Sequence, residues 1–259
     1  MRALFRARML PIRTATDPRL FADVEALYLA ARAAEGRTLD AEAVRRLPAP
    51  PAGSPHGREW AVRAASADRL AKHLRRTGAR RLLDLACGNG WLAARLAREL
   101  GAKVTAVDVN RAELALAAEA FDGVEGLELV LADVFDDVLP RGAYDAVVVA
   151  SAAQYFPDLP RLVRRLFELL APGGEVLLLD GPLWRSRAEA AAAEERSRSH
   201  YAGVGTPALA AAFHHHERPL LEPFAPRWYY LPERAGARLA RRLLGRPLSP
   251  FPFVGLPRP

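Results

Sequence analysis

The chain has 259 residues, 51% of them hydrophobic and 26% charged, a balance that excludes intrinsic disorder and leaves room for one large domain with a substantial core. No run of about 18 apolar residues offers a membrane span, so no membrane partner is expected, and the single cysteine, Cys87, excludes an internal disulfide framework and fits a reducing compartment. The formal charge of +7 by itself suggests an acidic partner such as nucleic acid. It is unevenly laid, however. Residues 1–80 hold 16 Lys and Arg against 8 Asp and Glu, residues 81–180 hold 9 against 16, and residues 181–259 hold 12 against 6. Two basic flanks therefore enclose an acidic middle. Only Lys72 and Lys103 are lysines among the 37 basic residues, so arginine usage throughout the chain is an equally good source of the charge.

In chain order, residues 1–16 are arginine-bearing and free of acids, like an organellar transit peptide, but Pro11 interrupts any long amphipathic helix and arginine is abundant everywhere. The cytoplasm is the expected compartment. Thr16-Asp17-Pro18 then opens a helix carrying Leu20, Phe21, Val24, Leu27, Tyr28 and Ala31 at helical spacing, with Gly36 as its stop. A second short helix is predicted over 39–47. Four prolines and two glycines in 48–57 make that stretch a hinge or linker. Residues 1–57 thus read as a helical extension with a proline-rich linker.

Trp60, Ala64, Ala67, Leu70 and Leu74 predict a helix ending at Gly78. Short apolar runs follow at 80–86, 103–109, 127–134, 144–151 and 175–180, with helical composition between most of them. Strands this continuously apolar, alternating with helices, predict a doubly wound α/β domain: a mostly parallel sheet covered on both faces, over 58–182. The remainder, 183–259, is expected to complete the sheet and a pocket beside it. It offers a helix over 186–199, a break at Gly203 to Gly205, an alanine-rich segment, a strand over 227–231, and a tail whose prolines favour extended chain.

The sharpest local signal runs from Leu82 to Ala97. An apolar strand ends at Asp84, small residues fill 86–90, and Gly88 and Gly90 let the backbone turn tightly and approach a ligand before a helix begins near Trp91. Eighteen residues after Gly90 the next strand ends in Asp108, whose carboxylate can accept from two ribose hydroxyls. The glycines alone also satisfy a dinucleotide-binding pattern. Three features argue against it. Asp84 can bind an ammonium group but is poorly placed beside a pyrophosphate, Asp133 closes a third strand where a carboxylate can accept from an exocyclic amine, and neither lysine follows a tyrosine at the spacing hydride transfer uses. Asp84 and Asp108 could instead cap helices, Asp133 could be a turn acid, and Cys87 a small core-facing residue.

In order and spacing, DLACGNGW, AVDVN, LADVF, YDAVVVASAAQYFPD and LLAPGGEVLLLD, within 58–182, resemble the successive motifs of the class I S-adenosylmethionine-dependent methyltransferases. The resemblance implies a seven-stranded Rossmann-like sheet, S-adenosylmethionine as cofactor and S-adenosylhomocysteine as product. It places Asp84 and the loop Ala86, Cys87, Gly88, Asn89 and Gly90 on the methionine part. Asp108, with Val109 and Asn110, falls on the ribose, and Asp133 with Val134 on the adenine. Ser151 and Gln154 or Tyr155 would border the transferable methyl. One departure is Ala86, where many members have the first glycine of the loop.

The acceptor is less constrained. Enzymes that methylate exocyclic amines of bases usually carry Asn/Asp-Pro-Pro-aromatic after the fourth strand, and Ser151-Ala-Ala-Gln-Tyr155 stands here instead. A small-molecule acceptor is therefore expected, and the basic flanks permit an anionic one. The alternatives are an RNA or protein methyltransferase using those flanks, an NAD-dependent oxidoreductase, and a non-catalytic scaffold. Candidate catalytic groups are His200, Tyr201, His214 and His216, and candidate pocket residues are Trp60, Tyr155, Trp228 and Tyr230. Neighbouring histidines diverge, so the run from His214 to His216 is not assigned a metal. Phe251 and Phe253 would close over the chain's own surface or over a second copy, leaving monomer and homodimer both open.

Overall fold

The computed structural model describes residues 9–245 and 247–259. Residues 1–8, most of the arginine-bearing segment compared above with a transit peptide, lie outside the described residues. The chain opens with a short strand β1 (Ile12–Thr14), helix α1 (Ala22–Ala34) and helix α2 (Ala41–Arg45). Asp17 and Asp40 start the helical stretches by accepting from the amides of Arg19 and Ala43. His56 in the following loop bonds the Glu35 carbonyl at 3.0 Å, tying the proline-rich stretch to the end of α1. Helix α3 (Gly57–Thr77) ends where Gly78 takes a left-handed turn at φ +72°.

From there strands and helices alternate: β2 (Arg81–Leu85), α4 (Trp91–Leu100), β3 (Lys103–Asp108), α5 (Arg111–Ala120), β4 (Leu127–Leu131), β5 (Tyr144–Ala150), α6 (Leu159–Leu169) and β6 (Leu170–Leu179). After these come β7 (Leu183–Trp184), α7 (Arg187–Gly203), β8 (His216–Glu217), β9 (Arg227–Tyr230), α8 (Ala235–Leu244) and β10 (Phe253–Pro257). Eight strands form one sheet in the order β1-β4-β3-β2-β5-β6-β10-β9, with β10 antiparallel to both neighbours and the others parallel. Strands β7 and β8 pair separately. One face of the sheet is covered by Leu70 and Leu74 of α3, Leu96 of α4 and Leu114 of α5, the other by Leu159, Leu162 and Leu166 of α6, all fully buried. Two apolar faces explain why the strands read as unbroken hydrophobic runs.

The doubly wound α/β fold expected from the sequence is thus present, with two additions. β1 extends the sheet by an eighth strand from the segment ahead of the first expected helix, where no strand was expected; it is three residues long and its side chains are partly exposed, so it carries no apolar run. α8 stands in the tail expected to be extended, because 233–246 is free of proline and rich in Ala, Leu and Arg, which favour helix. The tail also enters the sheet: Phe253 is buried in β10, and Phe251 packs edge-on against Trp184 with centroids 6.4 Å apart. Both rings close over the chain's own surface. The strand order reverses between β2 and β5, and in open parallel sheets a ligand crevice lies beyond the carboxyl ends of strands at that point.

Candidate functional site

A cavity of about 930 Å³ opens there, near the upper end of the range for small-molecule sites. Its floor is the carboxyl ends of the central strands and its roof is α1 together with α7 and the 207–215 segment. Asp84, Ala86, Cys87, Gly88, Asn89, Asp108, Val109, Asn110, Asp133, Val134, Ser151 and Gln154 all line it. Trp60, Tyr155, His200, Tyr201 and His214 line it as well. Twelve of the thirteen residues that the resemblance assigned to the cofactor therefore line one cavity.

At one end carboxylates gather. Asp84 is the penultimate residue of β2 with its side chain buried, and its Oδ2 has no hydrogen-bond partner among the described residues. Burial, and then the charge of Asp108, push its carboxyl up to about 7. Asp108, at the end of β3, accepts from the amides of Gly88 at 2.7 Å and Asn110 at 2.8 Å, so it fixes the glycine loop and the start of α5 together. Burial raises its carboxyl too, opposed by those amide bonds. Glu113 stands beside them at the start of α5, raised by burial. Burial and the surrounding carboxylates push the Cys87 thiol well up, which makes it inert as a nucleophile. Asp133 accepts from the Phe135 amide at 2.9 Å and stays on the wall.

The loop glycines divide the work. Gly88 (φ +54°) faces the cavity. Gly90 (φ +71°) does not: a Cβ there would stand 3.0 Å from Ala117 Cβ, so this residue, expected on the cofactor, lets α4 start closely under α5. Ala86 adopts φ +54°, the left-handed region that favours glycine, the residue that the resemblance implies at that position. Ala86→Gly is expected to raise stability by about 1 kcal/mol, a gain of roughly 2–4 °C in melting temperature for a chain of this size. An unchanged or lower midpoint would mean that no strain resides there.

The other end is aromatic. Tyr28 of α1 meets Tyr155 edge-on at 6.3 Å, Tyr155 meets Phe213 at 5.9 Å, and Phe213 meets Tyr201 at 6.1 Å. Trp60 stands edge-on to Trp91 at 5.5 Å. Gln154 donates from Nε2 to the Ser151 carbonyl at 2.6 Å, leaving its buried Oε1 unpartnered. Ser151 holds φ +55° and bonds the Asp180 carbonyl through its hydroxyl.

The histidine run splits three ways. His214 faces the cavity. His215, also on the wall, accepts from Trp184 Nε1 at 3.1 Å on Nδ1, which places its proton on Nε2, 2.9 Å from Ser197 Oγ; burial lowers its basicity, so it stays neutral. His216, expected among the catalytic groups, is buried outside the cavity with Nε2 donating to the carbonyls of Phe156 at 2.9 Å and Ala153 at 3.2 Å. It anchors β8 to the loop after β5. His214 and His216 do lie on one side, ring centroids 6.3 Å apart, but no cluster of three metal-ligating side chains occurs among the described residues. Trp228 and Tyr230 are likewise outside the cavity, because β9 is the far edge strand: Trp228 carries the Arg218 guanidinium over its ring and Tyr230 bonds the Ser249 carbonyl. Sequence reasoning passed over Tyr28 and Arg32 of α1, Glu113 and Asp180, which line the cavity; nothing local marks one arginine or tyrosine of a roof helix.

Fold and site together define a doubly wound, Rossmann-like α/β protein with its crevice at the strand-order reversal. Residues 82–174, about a third of the chain, match the family model described as "Methyltransferase domain". Among curated relatives, nocamycin O-methyltransferase of Saccharothrix syringae is 37% identical over 106 residues, 39% of this chain and 38% of its own, and demethylmenaquinone methyltransferase of Thermus thermophilus is 38% identical over 106 residues, 40% and 48% of the two chains. The match thus spans less than half the length of these relatives. Geranyl diphosphate C-methyltransferase of Streptomyces coelicolor A3(2) superposes over 89% of this chain and 96% of its own with a TM-score of 0.54 at 16% identity, a likeness of fold.

Proposed function

We propose that this chain transfers the methyl group of S-adenosylmethionine to a small-molecule acceptor bound in the aromatic half of the same cavity, with S-adenosylhomocysteine as product. What carries the proposal is the orphaned Oδ2 of Asp84: a buried carboxylate oxygen without a protein partner, at the mouth of a glycine loop, suits a ligand's ammonium group and not a pyrophosphate. The residues present fit the cofactor. Asp84 would hold its ammonium group, the backbone of Gly88 and Asn89 the rest of the amino-acid part, Asp108 the ribose hydroxyls, and Asp133 with Val134 the adenine edge.

A bound sulfonium supplies a methyl group that is already activated. The chain then has to hold the nucleophile in line and exclude water, which the roof of α1 and α7 and the aromatic wall do. Tyr201, pushed up to about 12 by burial, remains a neutral phenol at working pH, and His200 is engaged with Glu35 at 2.8 Å. His214 is left as the base for an acceptor that must lose a proton. The relatives named for nocamycin and demethylmenaquinone support a small molecule over RNA or protein as acceptor. A cytoplasmic location is proposed on the free Cys87 alone.

Thermal shift tests the proposal. S-adenosylhomocysteine at about 100 times its dissociation constant is expected to add roughly 2.7 kcal/mol, and NAD nothing. A shift with NAD alone would favour the oxidoreductase, and no shift with either the scaffold. For the RNA reading, anisotropy of a labelled single strand is expected to stay flat from about 50 to 200 mM salt; a steep loss of binding over that range would restore it.

A further inference from the structure

Resting on the methyltransferase reading, the cations of the cavity can be sorted by their partners. Carboxylates line its floor and, as Glu25, Glu35 and Glu59, its roof and mouth, where four arginines, Arg32, Arg37, Arg63 and Arg196, also stand. Two of them are committed: Arg37 pairs with Glu35 at 2.8 Å and Glu59 at 2.7 Å, and Arg63 with Glu59 at 2.9 Å. Arg196 lies over the Trp184 ring, 5.6 Å from its centroid, on an exposed part of α7. Arg32 differs. Among the described residues no carboxylate lies within 4.0 Å of its guanidinium, its Nε is buried without a partner, and its nearest aromatic face is Tyr28 at 5.8 Å.

The groups that feel Arg32 electrostatically are Tyr28, Glu113 and Tyr155. Glu113 is a weak counter-charge, since burial drives its carboxyl towards the neutral form. In this half of the cavity unmet donors stand with one unmet acceptor, Gln154 Oε1. The Tyr28 and Tyr201 hydroxyls have no acceptor among the described residues, and Tyr155, buried beside Gln154, lines the same cavity. A guanidinium and two phenols without acceptors, on a wall of aromatic rings, call for a ligand that is flat and presents a group of acceptor oxygens.

We propose that the acceptor is an aromatic carboxylate, its carboxylate held by Arg32 with the hydroxyls of Tyr28 and Tyr201 and its ring set against Tyr155 and Phe213. A planar fork of N–H donors matches a carboxylate in two parallel bonds, which a lysine cannot reproduce. Arg32 is thus a specificity-determining residue on α1, outside the stretch that matches the methyltransferase family model.

The test uses the full chain saturated with S-adenosylhomocysteine, into which 2-naphthoate and 2-naphthamide are titrated by calorimetry. The two probes share a ring system and differ in charge. Naphthoate is expected to bind at least about 10-fold more tightly than naphthamide. Arg32→Gln should erase that preference, Arg32→Lys retain part of it, and both should keep the affinity for S-adenosylhomocysteine within about 2-fold. Equal binding of the two probes, binding of neither, or a preference that survives in Arg32→Gln overturns the proposal. So does a large loss of S-adenosylhomocysteine affinity in Arg32→Gln, which would assign the arginine to the cofactor's own carboxylate. Failure of the wild-type chain to bind S-adenosylhomocysteine at all would instead remove the methyltransferase reading beneath it.

Discussion

Asp84→Asn is expected to make the ligand-free protein more stable while cutting S-adenosylmethionine affinity by roughly 100-fold or more. Both effects have one source. In the folded chain the carboxyl is pushed from 3.8 up to about 7 by burial and by Asp108, so the folded state binds the Asp84 proton more tightly than the unfolded state between about pH 4 and 7. Stability from this group is therefore highest below pH 4, falls as pH rises through that window, and stays low above it. An amide at the same position escapes the penalty. At about 1.4 kcal/mol per unit, three units set a ceiling near 4 kcal/mol, and a gain of about 2 kcal/mol at pH 8 is expected once the new amide's own unmet hydrogen bonds are subtracted. Urea unfolding at pH 8 and pH 5 measures it: the variant should exceed wild type at pH 8 and lose that advantage as pH falls. A variant less stable than wild type at pH 8 would show that Asp84 is held by partners of its own.

Asp108→Ala is the second large effect. The carboxylate is placed to accept from ribose hydroxyls, and it already accepts from the Gly88 and Asn110 amides, which connect the glycine loop to α5. Removing it strips both amides of a charged acceptor, each worth about 1.5–3 kcal/mol, against which the relief of a buried charge must be set. The net expectation is a loss of about 1–3 kcal/mol in stability and at least 100-fold in cofactor affinity. Asp108→Asn keeps one acceptor oxygen and should fall between, near 10-fold in affinity. Cofactor affinity equal to wild type in Asp108→Ala would place the ribose elsewhere.

The legible parts of the sequence were those whose cause is local. Val147 and Val148 of β5, or Leu177 and Leu178 of β6, are apolar on both faces because helices cover both, and that is written in consecutive residues. Asp84, Gly88 and Asp108 were legible because strand ends and positive backbone angles constrain residue type at fixed spacing. What depends on remote packing was not. His216 and His214 look alike in sequence; only the approach of the loop after β5 turns one into a backbone anchor and leaves the other in the cavity. Trp228 and Tyr230 sit on a strand whose place at the edge follows from β10 inserting between β6 and β9, a pairing that joins distant segments. Arg32 became distinctive only once Arg37 and Arg63 were found paired with Glu35 and Glu59.

If Asp84 is the ammonium site of an S-adenosylmethionine-binding cavity, the ligand displaces the Asp84 proton as it binds. Titration of S-adenosylmethionine at pH 6, in two buffers of different ionisation enthalpy, counts the protons exchanged. With Asp84 near 7 in the ligand-free chain it is about nine-tenths protonated at pH 6, while the ligand's amino group is already charged. Saturable binding is expected, with release of most of one proton per site and an affinity that climbs as pH rises from 6 towards 7. No saturable binding, or binding with no proton released and no pH dependence, would contradict that role for Asp84.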